Sequence, residues 1–155
     1  MAKTNLNSPA DFKGLIGKHL GKSDWKLIDQ SSINAFANAT EDFQWIHIDI
    51  NKTLKESPYK KTIAHGYLSL SLIPKFVEEI WECKNLRLIL NYGSEKIRFI
   101  SPVICDSFIR ANISVIDAYD YKNGILLKSK IDIEIKDNAK LALSAETLSL
   151  LYPNN

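Results

Sequence analysis

From residue 125 to residue 135 the chain keeps a period of two. Ile125, Leu127, Ser129, Ile131, Ile133 and Ile135 hold one phase, while Lys128, Lys130, Asp132, Glu134 and Lys136 take the other. That alternation suits a strand with one face in water and the other against a core. On a helix the same residues would be scattered around the whole circumference. The run has companions. Ile109, Ala111, Ile113 and Val115 alternate with Arg110, Asn112 and Ser114, and Leu141, Leu143, Ala145 and Thr147 make a final alternating segment. Segments 86–92 and 96–100 are apolar-rich and broken at Gly93-Ser94, with turns expected at 120–124 and at Asp137-Asn138.

A sheet with one apolar face must cover that face. The stretch long enough to do so follows Gly66: Tyr67, Leu68, Leu70, Leu72, Ile73, Phe76, Val77, Ile80 and Trp81 first surround the helix axis and then narrow to a stripe. Such a pattern describes a helix buried at its start and half-exposed at its end. Pro74 lacks a backbone donor and should bend this helix or close its first segment. The expected architecture is α+β: a single hot-dog domain over 1–155, an antiparallel sheet wrapped around one long buried helix. Upstream, 8–20 reads as a short helix capped by Ser8 with Pro9 in its first turn, and Trp25 to Leu27 as a brief strand. A second helix should start near Ser31 or Ser32 and carry Ile33, Phe36 and Ala37 inward, and 52–61, with Ser57-Pro58, reads as a loop.

Composition narrows the partners. The 155 residues carry a net charge of +2, with Lys and Arg scattered among the acids rather than gathered in a stripe, so no nucleic-acid partner is expected. The polar N-terminal segment lacks a secretory core, and no apolar run approaches the ~20 residues a bilayer requires, so no membrane partner is expected. Cys83 and Cys105 stand far apart, outside any C-x-x-C spacing, and read as reduced thiols of a cytoplasmic protein. Three histidines without a Cys or His cluster suggest no metal centre.

Two places could carry chemistry. Asp42 and His47 pair a carboxylate with the side chain that changes charge near neutral pH, a combination suited to moving protons. With 18 acids in the chain, that spacing alone arises easily by chance. The second place is Thr62-Ile63-Ala64-His65-Gly66, immediately before the buried helix. A glycine there leaves a backbone N–H without an intrahelical partner and lets a substrate carbonyl approach, an oxyanion-type donor. It could equally serve only the chain reversal.

Taken together, these segments are more specific. Phe36 to Asp49 (FANATEDFQWIHID), then Ser57-Pro58, Ile63-Ala64-His65-Gly66 and Leu68-Ser69-Leu70-Ser71-Leu72 resemble the MaoC-like dehydratase family. Asn91-Tyr92-Gly93, Ile97-Arg98-Phe99 and Ser101-Pro102-Val103 extend the likeness. The narrower resemblance is to nodulation protein N-like proteins and single-domain (R)-specific enoyl-CoA hydratases. It implies Asp42 and His47 as catalytic residues and the Gly66 N–H as oxyanion donor, with His65, Asn91 and Gly93 near the substrate. It also implies a homodimer working in acyl-chain metabolism. Cofactors are none beyond the coenzyme A or acyl carrier protein that arrives as part of the substrate. One departure stands out. Glu41 occupies a position where the family commonly has glycine, which adds a carboxylate and implies a backbone that avoids positive φ. A thioesterase, or a non-catalytic acyl-thioester-binding protein on the same scaffold, are the competing readings.

Overall fold

The computed structural model describes residues 3–154. The long alternating segments are strands: β5 (Leu86–Phe99), β6 (Ser107–Tyr121), β7 (Gly124–Ile135) and β8 (Leu141–Pro153). They join β2 (His19–Lys22) and β3 (Lys26–Ile28) in one six-stranded sheet of order β2-β6-β7-β8-β5, with β3 also paired to β6. All pairings within it are antiparallel. A small parallel pair, β1 (Thr4–Leu6) with β4 (Trp81–Cys83), ties the N-terminal segment to the end of the central helices.

The alternation in sequence becomes the two faces of the sheet. Ile109, Ile113, Ile131, Ile133, Leu143 and Leu151 are fully buried. The opposite phase carries charge ladders set by register: Arg110 lies opposite Glu134 and bonds it at 2.7 Å, while Lys128 reaches Glu146 at 2.7 Å. Over the apolar face lies the helical segment after Gly66. It is two short helices rather than one long one: α4 (Gly66–Ser71) and α5 (Ile73–Ile80), divided at Leu72. Pro74 sits in the first turn of α5, where its missing donor has no intrahelical acceptor to lose. Ile73, Phe76 and Ile80 are buried at the i, i+3, i+7 spacing of one helix face, and burying Phe76 alone stabilises the fold by about 1.5–3 kcal/mol. This is the α+β hot-dog arrangement.

Several local expectations change. Residues 8–20 hold a 3-10 helix over Pro9–Leu15 and then β2, so His19 is on a strand, 2.6 Å from Asn112. Helix α1 (Gln30–Thr40) is capped by Asp29, whose side chain accepts from Ser32 N, not by either serine. After α2 (Trp45–Ile48), the expected loop begins as α3 (Ile50–Glu56), capped by Asp49 through Lys52 N. Ile50 and Leu54 of α3 face solvent, so no buried stripe announces that helix in the sequence. β5 runs unbroken through Gly93-Ser94; the apparent break is a pair of register shifts against β8, near Asn91/Gly93 and Glu95/Arg98.

Candidate active site

Asp42 and His47 reach one another through the chain reversal after α1. Glu41 ends that helix in the left-handed region, φ 59° and ψ 21°. This corrects the sequence expectation that a non-glycine residue would avoid positive φ there. Glu41 adopts the conformation glycine favours and accepts its strain. The reversal puts Asp42 on an exposed turn, its carboxylate accepting from Gln44 N at 3.3 Å. His47 follows on the single turn of α2 and is 6% exposed.

The environment of His47 determines which nitrogen is free. Nδ1 lies 2.7 Å from the Ile63 carbonyl oxygen, which can only accept, so Nδ1 carries the proton. Nε2 therefore holds a lone pair. Burial disfavours the charged ring and is the largest influence on its proton affinity. The Ile63 carbonyl and the Asp42 charge oppose burial, neighbouring His65 reinforces it, and the net effect is a pKa below the ordinary 6.5. A neutral imidazole with an open Nε2 is a base in its working form at neutral pH.

Gly66 opens α4, and its N–H donates to no backbone or side-chain acceptor among the described residues. It shares a pocket of about 250 Å³ with His47, Ala64, Ser69 and Phe99. A Cβ at Gly66 would lie 2.8 Å from Phe99 Cδ1 and 3.1 Å from Phe99 Cγ, so any side chain there would have to displace the ring packed on it. Ser69, 3% exposed, was not singled out in the sequence; the signal was its place three residues after Gly66, on the same side of the first helical turn. Gln30 was also missed. Its Nε2 donates to the His47 carbonyl at 2.8 Å while its Oε1 accepts from Thr62 Oγ1 at 2.5 Å, clamping α2 to the segment before Gly66.

His65 is buried beside the pair and does not line that pocket. Asn91 and Gly93 lie elsewhere. With Ser71, Val77, Ile131 and Thr147 they line a larger cavity of about 490 Å³ between the helices and the sheet. Arg98 is exposed on β5. Donor atoms of Asp42, His47 and His65 all lie within 4.8 Å of one another. They make a poor metal cage, however. The two imidazoles stack with planes 24° apart, so their in-plane lone pairs run side by side rather than toward one ion.

A buried base, an unpartnered backbone donor across a small pocket and a hot-dog scaffold define a class of enzymes that move protons beside a carbonyl. Comparison with known proteins makes the class specific. Residues 11–134 match the model of the MaoC like domain. The 3-hydroxyacyl-thioester dehydratase Z of Mycobacterium tuberculosis is 37% identical over 144 residues, covering 92% of this chain and 95% of that one. Nodulation protein N of Rhizobium meliloti is 37% identical over 156 residues, covering 95% and 92%. An R-hydratase of Pseudomonas aeruginosa superposes with a TM-score of 0.75 at 19% identity, covering 96% of this chain and 86% of that one. The chain belongs to the MaoC-like dehydratase family, and is a hydro-lyase. No helix among the described residues is long and apolar enough to cross a membrane.

Proposed function

We propose that this protein interconverts trans-2-enoyl and (R)-3-hydroxyacyl thioesters, adding water to the former or removing it from the latter. The observation that carries the reading is the pairing of His47 Nε2, left free by the Nδ1–H bond to Ile63, with the free Gly66 N–H on the same pocket. In the hydration direction Asp42 and His47 hold one water. As its oxygen bonds to C3 and the C2–C3 π bond breaks, the pair takes one proton from the water and delivers one to C2, returning to its starting state, while the Gly66 N–H stabilises the enolate-like oxygen of the thioester. Electrons stay within the C–C and C–O bonds, so the reaction requires no redox cofactor. Proton transfer by Asp42 and His47 requires no metal. Coenzyme A or an acyl carrier protein enters as part of the substrate. The 490 Å³ cavity, with Asn91 and Gly93 on its wall, is the place for the acyl chain.

The same reading includes a homodimer. β5 is an edge strand with exposed Leu88, Ile89, Leu90 and Tyr92, a row of apolar side chains and open backbone groups that a second copy would cover.

A steady-state assay with crotonyl-CoA tests the chemistry. Asp42→Asn and His47→Gln should each lower kcat by ~10²-fold or more, and the product should be (R)-3-hydroxybutyryl-CoA. Wild-type rates in both variants, or the (S) product, would sink the proposal.

A further inference from the structure

His65 takes no part in the chemistry just described, yet it touches both members of the pair. Its ring stacks on His47 with centroids 3.7 Å apart and planes inclined by 24°. Phe36 packs against it at 5.1 Å between centroids. Its Nε2 lies 3.0 Å from the backbone oxygen of Asp42 and 3.9 Å from the Asp42 carboxylate. Because a carbonyl can only accept, Nε2 carries the proton. Nδ1 is buried and has no hydrogen-bond partner among the described residues, so a proton on that nitrogen would face no acceptor.

Each contact supplies a restraint that the pair otherwise lacks. Asp42 sits on an exposed turn just after a strained residue, and among the described residues its other hydrogen bond is the local one from Gln44 N at 3.3 Å. The His65 Nε2–H holds that turn from 23 residues away in sequence. For His47, the bond from Nδ1 to Ile63 anchors one edge of the ring and leaves only a small tilt about Cβ–Cγ. A flat ring stacked at 3.7 Å limits that tilt and so steadies the direction of Nε2. We propose that His65 is a positioning residue: an imidazole that ties the Asp42 backbone with its Nε2–H and holds the plane of His47 with its face. The inference rests on the reading of Asp42 and His47 as the catalytic pair.

Two measurements test it. In the wild-type protein, long-range ¹H–¹⁵N correlation should show a proton on His65 Nε2, the nitrogen that faces the Asp42 carbonyl. The opposite tautomer, with the proton on Nδ1 and none on Nε2, overturns the proposal without any variant having to fold. In the crotonyl-CoA assay His65→Ala should lower kcat about 10-fold, the usual scale for a sub-ångström misplacement of catalytic groups, with KM nearly unchanged. His65→Gln keeps an amide donor and His65→Phe keeps a flat face, so each should recover part of the loss. Wild-type kcat in His65→Ala overturns the proposal, as does a raised KM with unchanged kcat, which would make His65 a substrate contact. The two readings fail differently. Wild-type rates in Asp42→Asn and His47→Gln remove both, whereas loss in those variants with full activity in His65→Ala removes only this one.

Discussion

Replacing Glu41 by glycine separates backbone strain from charge at the edge of the site. Glu41 sits at φ 59°, where an L-residue with a Cβ costs roughly 1–2 kcal/mol relative to its right-handed conformation. Glycine removes that cost but gives back about 0.5–1 kcal/mol through the greater freedom of its unfolded chain. The net gain should be about 0.5–1 kcal/mol. For a domain of this length that corresponds to a rise in Tm of about 2 °C. Glu41→Asn supplies the control, because asparagine tolerates the left-handed region yet carries no charge. Differential scanning calorimetry at one fixed protein concentration keeps any self-association constant across the three proteins. If strain is the whole effect, Glu41→Gly is the most stable, Glu41→Asn is intermediate, and both keep the wild-type kcat. A Glu41→Gly variant less stable than wild type would refute the strain argument. A changed kcat in both variants would instead show that the Glu41 carboxylate acts on the chemistry.

Three more outcomes follow from the geometry. Because burial holds His47 below its ordinary pKa of 6.5, the acid limb of kcat/KM should fall below pH 6.5. The same depressed value means that the stability His47 contributes is full above 6.5 and is lost as pH falls from there through its folded-state value, which acid titration of Tm in wild type and His47→Gln can compare. Gly66→Ala should displace the Phe99 ring, now 2.8 Å from where the Cβ would be, and lower activity; adding Phe99→Ala should restore Tm, and an unshifted Phe99 in a crystal of Gly66→Ala would contradict the packing argument. Sedimentation equilibrium should give a mass of two chains, and Leu90→Lys on the β5 edge should shift it toward one; a wild-type monomer would remove the dimer.

What could be read from the sequence was whatever repeats with a local period or sits within a few residues of its partner. The alternation through 125–135 placed a half-buried strand, and the stripe Ile73, Phe76, Ile80 placed a helix over it, because burial leaves its period in the chain. Asp42, His47 and Gly66 could be read only as residue types suited to moving protons and to meeting a carbonyl. Helix α3 was not, since its Ile50 and Leu54 point outward and give no core-facing stripe. Nor was the conformation of Glu41, a residue whose identity argues against the φ it adopts. Tertiary structure alone decided which of these groups meet. Gln30 finds His47 from 17 residues away, His65 finds Asp42 from 23, and Phe99 packs on Gly66 from the end of β5, contacts that no local pattern encodes. It also put Asn91 and Gly93 on the wall of a cavity other than the one His47 and Gly66 share. Periodicity reports which face of an element is buried. Only the closing of the sheet over the helices decides what each buried face touches.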